Sequence, residues 1–167
     1  MKSVSTEQLC QTFSPEYFRE LSSFGAISDE TVLKLLRDGN VFHLEPDEVL
    51  YHAGEKVQAF YIILRGKIAL YYHYQAKPAL ARSYGAGEQI GFVGMIALHD
   101  RKGTAIVEET SLVLEVKTEQ FFDLHLSDPQ DFGLLVLNLS REMARTVGRL
   151  GDLVARLKAQ GPVIDEH

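Results

Sequence analysis

The sequence predicts a mainly β domain with flanking helices, and three observations carry that prediction. Residues 14–38 and 118–160 place apolar side chains at helical spacing between capping residues. Residues 41–117 instead show short apolar runs punctuated by turn residues at intervals of roughly eight to twelve, the pattern of an all-β barrel or sandwich. The length, 167 residues with 46% apolar and 24% charged, suits one globular domain. A chain of this size buries about 70% of the surface that it exposes when unfolded. The expected organisation is an N-terminal helical segment over 1–40, a β-barrel with a short helix over 41–127, a long helix over 128–160 and a tail over 161–167.

Ser14-Pro15 reads as an N-cap and first helical residue, with Tyr17, Phe18, Leu21 and Phe24 on one face and Gly25 at the end. Ser28 caps a second helix, whose apolar side is Val32, Leu35 and Leu36 and whose stop is Gly39-Asn40. The β runs lie near 41–44, 48–52, 59–65, 67–74, 79–84, 88–91, 104–108 and 111–117. In the last, Leu112, Leu114 and Val116 alternate with Ser111, Val113, Glu115 and Lys117, the period of a half-buried strand. Pro46-Asp47, Gly54-Glu55, Arg65-Gly66 and Gly85-Ala86-Gly87 supply the turns. Thr118 caps a short helix carrying Phe121, Phe122 and Leu124. Asp128-Pro129 then opens the long helix, which Gly161-Pro162 ends.

The far half of the long helix carries Met143, Val147, Leu150, Val154 and Leu157 at spacings of 4, 3, 4 and 3, a coiled-coil a/d seam. The same spacing suits a helix packed on its own barrel. The seam favours a two-stranded parallel homodimer, braced by the domain because the repeat is short.

Composition excludes several function classes. The single cysteine, Cys10, excludes an internal disulfide framework and any multi-cysteine metal site. No apolar run reaches the ~18 residues of a membrane span, and the first residues hold no signal-peptide core. A cytoplasmic location without membrane attachment is expected. The net charge of −6 gives the chain no general attraction to nucleic acid. A local basic set, Arg141, Arg145, Arg149, Arg156 and Lys158, reads best as a solvated helix face. The six histidines are scattered without ligand spacing, which leaves the metal site and a cupin-like enzyme unsupported. No catalytic constellation is present, and no cofactor is expected.

The segment 87–107 is the most informative. Gly87, Gly91 and Gly94 surround a strand end; a short apolar helical turn, the basic pair Arg101-Lys102 and a new strand from Thr104-Ala105 follow. Glycines allow close backbone approach, and free N–H groups beside a cation suit an anion. A loop that only joins two strands is the alternative. From about residue 40 to 158 the chain resembles the cyclic nucleotide-binding domain of the catabolite activator protein type. The resemblance rests on Glu48 to Glu55, on Phe60 to Ile68, on the cassette from Gly87 to Ala105 and on Met143-Ala144-Arg145. It implies an eight-stranded, jelly-roll-like barrel (a double-stranded β-helix) with N-terminal helices and a long C-terminal helix.

The resemblance also implies a ligand-binding set: Gly91, Phe92, Val93, Gly94, Arg101, Lys102, Thr104 and Ala105. Backbone amides from Gly91 to Met95 and at Thr104-Ala105 would hold the anion, and Arg101 or Lys102 would neutralise it. Departures from the family pattern weaken the implied ligand, cyclic AMP or cyclic GMP. Phe92 stands where the family has a Glu for the ribose 2′-hydroxyl, and is expected to make the pocket apolar or to fill it. Gly103 stands where the family has the phosphate-binding Arg. Leu150 and Gly151 stand where polar residues would meet the base. After the long helix only 161–167 remain, too few for a helix-turn-helix, so direct DNA binding is not expected of this chain, the alternative being that it is a domain excised from a longer protein. The sequence thus points to a cyclic nucleotide-binding-like regulatory module with a degenerate pocket, which signals through its dimerising helix to a separate protein partner. The alternative is an interaction or scaffold protein without a ligand.

Overall fold

The computed structural model describes residues 1–160 apart from Ala76; the tail expected over 161–167 lies outside the described residues. Strand β1 (Lys2–Val4) is followed by α1 (Thr6–Thr12), α2 (Pro15–Glu20), a 3₁₀ turn (Ser22–Phe24) and α3 (Asp29–Asp38). Then come β2 (Asn40–Leu44), β3 (Val49–Tyr51), β4 (Ala59–Tyr74), β5 (Lys77–Gly85), β6 (Gln89–Ile90) and α4 (Phe92–Ile96). Strand β7 (Thr104–Lys117), α5 (Thr118–Ser127) and α6 (Pro129–Gln160) complete the chain.

Local chemistry accounts for most of these boundaries. Pro15 opens α2, and the Ser28 hydroxyl accepts the Thr31 amide at 3.2 Å to start α3. Asp128 accepts the Asp131 amide at 3.0 Å ahead of Pro129, which has no N–H to leave unpaired. Two expectations are corrected. Thr118 is the first residue of α5, not its cap: Lys117 occupies that position, and the Thr118 hydroxyl donates to the Gln58 carbonyl at 3.0 Å. The segment over 1–40, expected to be helical, opens instead with strand β1 and only then α1, the latter started by a reciprocal Ser5–Gln8 capping box.

All seven strands join one antiparallel sheet curled on itself: β4 pairs with β5, β6 and β7, and β7 pairs with β2 and β3. The eight expected runs fall into fewer strands because β4 and β7 each absorb two. Arg65-Gly66 is a bulge rather than a turn, marked by register shifts from Ile63 to Ile68 and by Gly66 at φ 94°. The bulge reverses the phase of β4. Before it Tyr61 and Ile63 face the barrel interior; after it Ile68 and Leu70 do. Phe60, Ile62 and Leu64 face the other way, into a second core shared with α1–α6. The barrel is therefore sealed on its helical side and open at one end.

Helix α6 spans 32 residues, about 48 Å at 1.5 Å per residue. Asp131, Leu135, Leu139 and Glu142 are buried along its first part. Every residue from Val147 to Ala159 is exposed. Among the described residues no helix is long and apolar enough to cross a membrane.

Candidate ligand site

The open end of the barrel leads into a cavity of about 340 Å³, at the lower end of the range of about 300–1,000 Å³ for small-molecule sites. Its floor is the barrel end, with Tyr51, Leu70, Tyr84 and Gln89. One wall is the segment from Gly91 to Gly103, and the other is α6 at Met143, Thr146, Val147 and Leu150.

Arg101 dominates this site. Its backbone is clamped to the β3–β4 turn: its N–H donates to the Glu55 carbonyl and its C=O accepts from Gly54, both at 2.8 Å. The side chain then runs inward and is only 7% exposed. Nη2 donates to the Ala59 carbonyl at 2.7 Å and Nη1 to the Gly91 carbonyl at 3.3 Å. The guanidinium lies 4.1 Å from the ring centre of Tyr51 and 5.7 Å from that of Tyr61, which stabilises a cation through the ring quadrupole. Nε is buried without a partner. Among the described residues no carboxylate pairs with Arg101. A buried, uncompensated cation is costly unless something negative meets it. Burial also pushes the phenols of Tyr51 and Tyr61 up, that of Tyr61 to about 12, so both rings stay neutral beside the guanidinium.

Two glycines make room for this arrangement. Gly91 adopts φ 92°, and a Cβ there would collide with Arg101 Nη1. A Cβ on Gly103 would lie 2.6 Å from the Tyr71 carbonyl and 2.6 Å from the Tyr72 ring. A side chain directly before Thr104 thus has no space, and the cation enters from two residues upstream. Lys102 lies exposed on the cavity rim.

The second cation of the wall, Arg82 on β5, has the opposite environment. Its Nη2 meets Glu88 and also Glu142 on α6, the latter at 2.6 Å, while Nη1 donates to the Thr146 hydroxyl at 2.6 Å. Glu142 draws in Arg149 and Arg145 as well, at 3.5 and 3.6 Å. Burial holds the Glu88 carboxyl above its ordinary range. Burial raises Glu142 too, but hydrogen bonds from Arg82 and Glu88 outweigh it and hold Glu142 low. This cluster fastens the last packed turn of α6 to the barrel.

The cavity brings Gly91, Val93, Gly94, Arg101 and Lys102 together with Met143, Val147 and Leu150. It does not bring in the rest of the expected set. Phe92 is a correction: its ring turns away and packs against Phe60 and Phe121 at 5.1 and 5.7 Å, neither lining nor filling the cavity. Its amide is engaged by Gln89 Oε1 at 3.2 Å, and the Met95 amide by the Gly91 carbonyl at 3.4 Å, so neither is free for an anion. Thr104 and Ala105 lie behind the lining; the Thr104 hydroxyl accepts the Ala53 amide at 3.1 Å and Ala105 is fully buried. Val154 and Leu157 lie beyond the cavity on the exposed part of α6, 50% and 60% exposed. Sequence reasoning missed Arg82, Thr146 and Glu142. An Arg within a strand pattern and a Glu among helix arginines were the only traces of them.

The model of the cyclic nucleotide-binding domain family matches residues 41–128, more than half of the chain. The chain belongs to the cyclic nucleotide-binding domain family. No curated protein matches its sequence. Solved structures share the family fold at low identity. A cyclic nucleotide-binding domain from Methylobacillus flagellatus KT superposes with a TM-score of 0.77 at 19% identity, over 90% of this chain and 86% of that one. The catabolite activator protein of Thermus thermophilus gives 0.68 at 23% identity, over 83% of this chain and 63% of that one. A triple mutant of the regulatory subunit of a cAMP-independent protein kinase A from Trypanosoma brucei, bound to cAMP in its A site, gives 0.63 at 14% identity, over 75% of this chain and 44% of that one. The seven-stranded antiparallel sheet, the flanking helices and the long α6 are this family's jelly-roll-like architecture. Among the described residues, no three His, Cys, Asp or Glu side chains are grouped to hold a metal.

Proposed function

We propose that this cyclic nucleotide-binding domain is a regulatory module whose cavity takes a small anionic ligand of nucleotide size, with α6 as the output to a separate protein partner. One observation carries the proposal: Arg101 is a buried cation on a cavity wall with an unpartnered Nε and, among the described residues, no carboxylate to offset it. The family likeness makes cyclic AMP and cyclic GMP the reference ligands. The carboxylate that would hold a ribose hydroxyl is missing, a loss of about 1.5–3 kcal/mol for one charged hydrogen bond, or roughly ten- to hundredfold in affinity. Binding to either nucleotide is therefore expected to be weak. Calorimetric titration with each, to millimolar concentration, should show saturable heat that Arg101→Ala abolishes and Lys102→Ala only reduces. Absence of heat with both nucleotides would favour the ligand-free reading.

That second reading, an interaction or scaffold protein, has its own supporting observation. Both Nη groups of Arg101 already meet backbone carbonyls, so the guanidinium holds its place without a ligand.

The exposed face of α6 supports the homodimer part of the proposal. Val147, Leu150, Val154 and Leu157 are each at least 50% exposed and share one stripe at heptad spacing. A second copy, aligned in parallel, presents the identical stripe and would cover it. Sedimentation equilibrium should find a dimer; a monomer at every concentration would remove this part of the proposal.

A further inference from the structure

The charge of the cavity lining says more about its ligand. The chain as a whole is acidic, with net charge −6, yet among the described residues no Asp or Glu lines the cavity, while Arg82, His99, Arg101 and Lys102 do. Arg82 is already offset by Glu88 and Glu142. Neither Arg101 nor Lys102 takes part in an ion pair among the described residues. His99 meets the Asp100 carbonyl through Nδ1 at 2.8 Å, which makes Nδ1 the donor and leaves Nε2 for other partners. The remainder of the lining is aromatic and aliphatic, with Tyr51, Tyr72, Tyr84, Met143 and Leu150. A cyclic phosphodiester brings one negative charge, which Arg101 alone would offset. Phe92 brings no charge to the site, and its ring lies in the helical core. Among the described lining residues none carries a negative charge that would repel a second one on the ligand.

We infer that the cavity takes a phosphate monoester on an aromatic, nucleoside-sized body, with two negative charges, in preference to a cyclic phosphodiester with one. The inference rests on the reading of the cavity as an anion site. Arg101 meets the phosphate from the buried side and Lys102 from the rim. The volume of about 340 Å³ suits a mononucleotide rather than a dinucleotide.

The test is calorimetry of the full chain with three probes: AMP, cyclic AMP and the 5′-methyl ester of AMP, which keeps the open ribose but has one charge. AMP should bind about ten- to hundredfold tighter than either of the others, the worth of one further charge-assisted hydrogen bond. Lys102→Gln should narrow that gap to about threefold, because it weakens AMP binding more than cyclic AMP binding. Cyclic AMP binding as tightly as AMP would overturn the inference and leave the proposed function standing. A methyl ester equal to AMP would overturn it too, because the open shape and not the second charge would then be read. Failure of all three probes to bind at millimolar concentration would remove the proposed function, and this inference with it.

Discussion

The two parts of α6 share one helical pattern and have opposite surroundings. From Asp131 to Glu142 the inward positions are buried against the barrel and the N-terminal helices; from Val147 to Ala159 every side chain is exposed. Apolar residues continue along both parts, so amphipathic spacing does not say which part has found a partner. The change occurs at Glu142 and Thr146, where Arg82 makes the last attachment between helix and barrel. The first part is a structural element of the domain. The second is an arm of about 20 Å that carries an apolar stripe and borders the cavity at its base.

Truncation should separate the two parts most sharply. Leu139→Ala, at a fully buried position, is expected to destabilise the protein by about 2–5 kcal/mol in denaturant unfolding. Leu157→Asp should leave the unfolding of a monomer within about 0.5 kcal/mol and dissociate the proposed dimer in sedimentation. Equal effects of the two on stability would show that the arm is packed in solution.

The attachment point comes next. Glu142→Ala leaves Glu88 as the one carboxylate on Arg82 and removes the contacts to Arg145 and Arg149. A loss of about 1–3 kcal/mol is expected, with faster amide exchange from residue 139 to 146. Unchanged exchange would mean that apolar packing alone seats the helix.

The smallest effect concerns the start of α6. Burial alone would raise the Asp131 carboxyl, but hydrogen bonds from the Ser28 hydroxyl and amide outweigh it and hold the group below its ordinary range. A carboxyl depressed in the folded state adds stability above its unfolded value, about 3.9, and loses it as pH falls through the folded value. Unfolding free energy measured against pH should therefore fall less steeply below about pH 4 in Asp131→Asn than in the parent.

The sequence made the helical boundaries and the β region legible because they depend on local chemistry: Ser28, Gly39 and Asp128-Pro129 act within a few residues of themselves. Strand count was less legible, since Gly66 looks the same in a turn and in a bulge, and only pairing with β7 distinguishes them. At the site, the glycines and the basic pair marked the correct segment. The choice between Arg101 and Lys102 depended on long-range contacts: the backbone of Arg101 is held by Gly54 and Glu55 and its side chain by Ala59 and Gly91. Phe92 misled for a related reason: its neighbours Phe60 and Phe121 lie at distant points of the chain. Arg82 was invisible because Glu88, Glu142 and Thr146 gather around it only once the barrel closes.

On the proposed function Arg101, and not Arg82, is the cation that receives a ligand. Nitrogen–proton NMR of the arginine side chains during titration with AMP tests it directly, with the Nε–H signals assigned through Arg101→Lys and Arg82→Lys. The buried, unpartnered Nε–H of Arg101 should shift in a saturable way, while that of Arg82, already held by two carboxylates, stays in place. A stationary Arg101 signal alongside a shifting Arg82 signal, or no shift in either, would rule out Arg101 as the receiving cation.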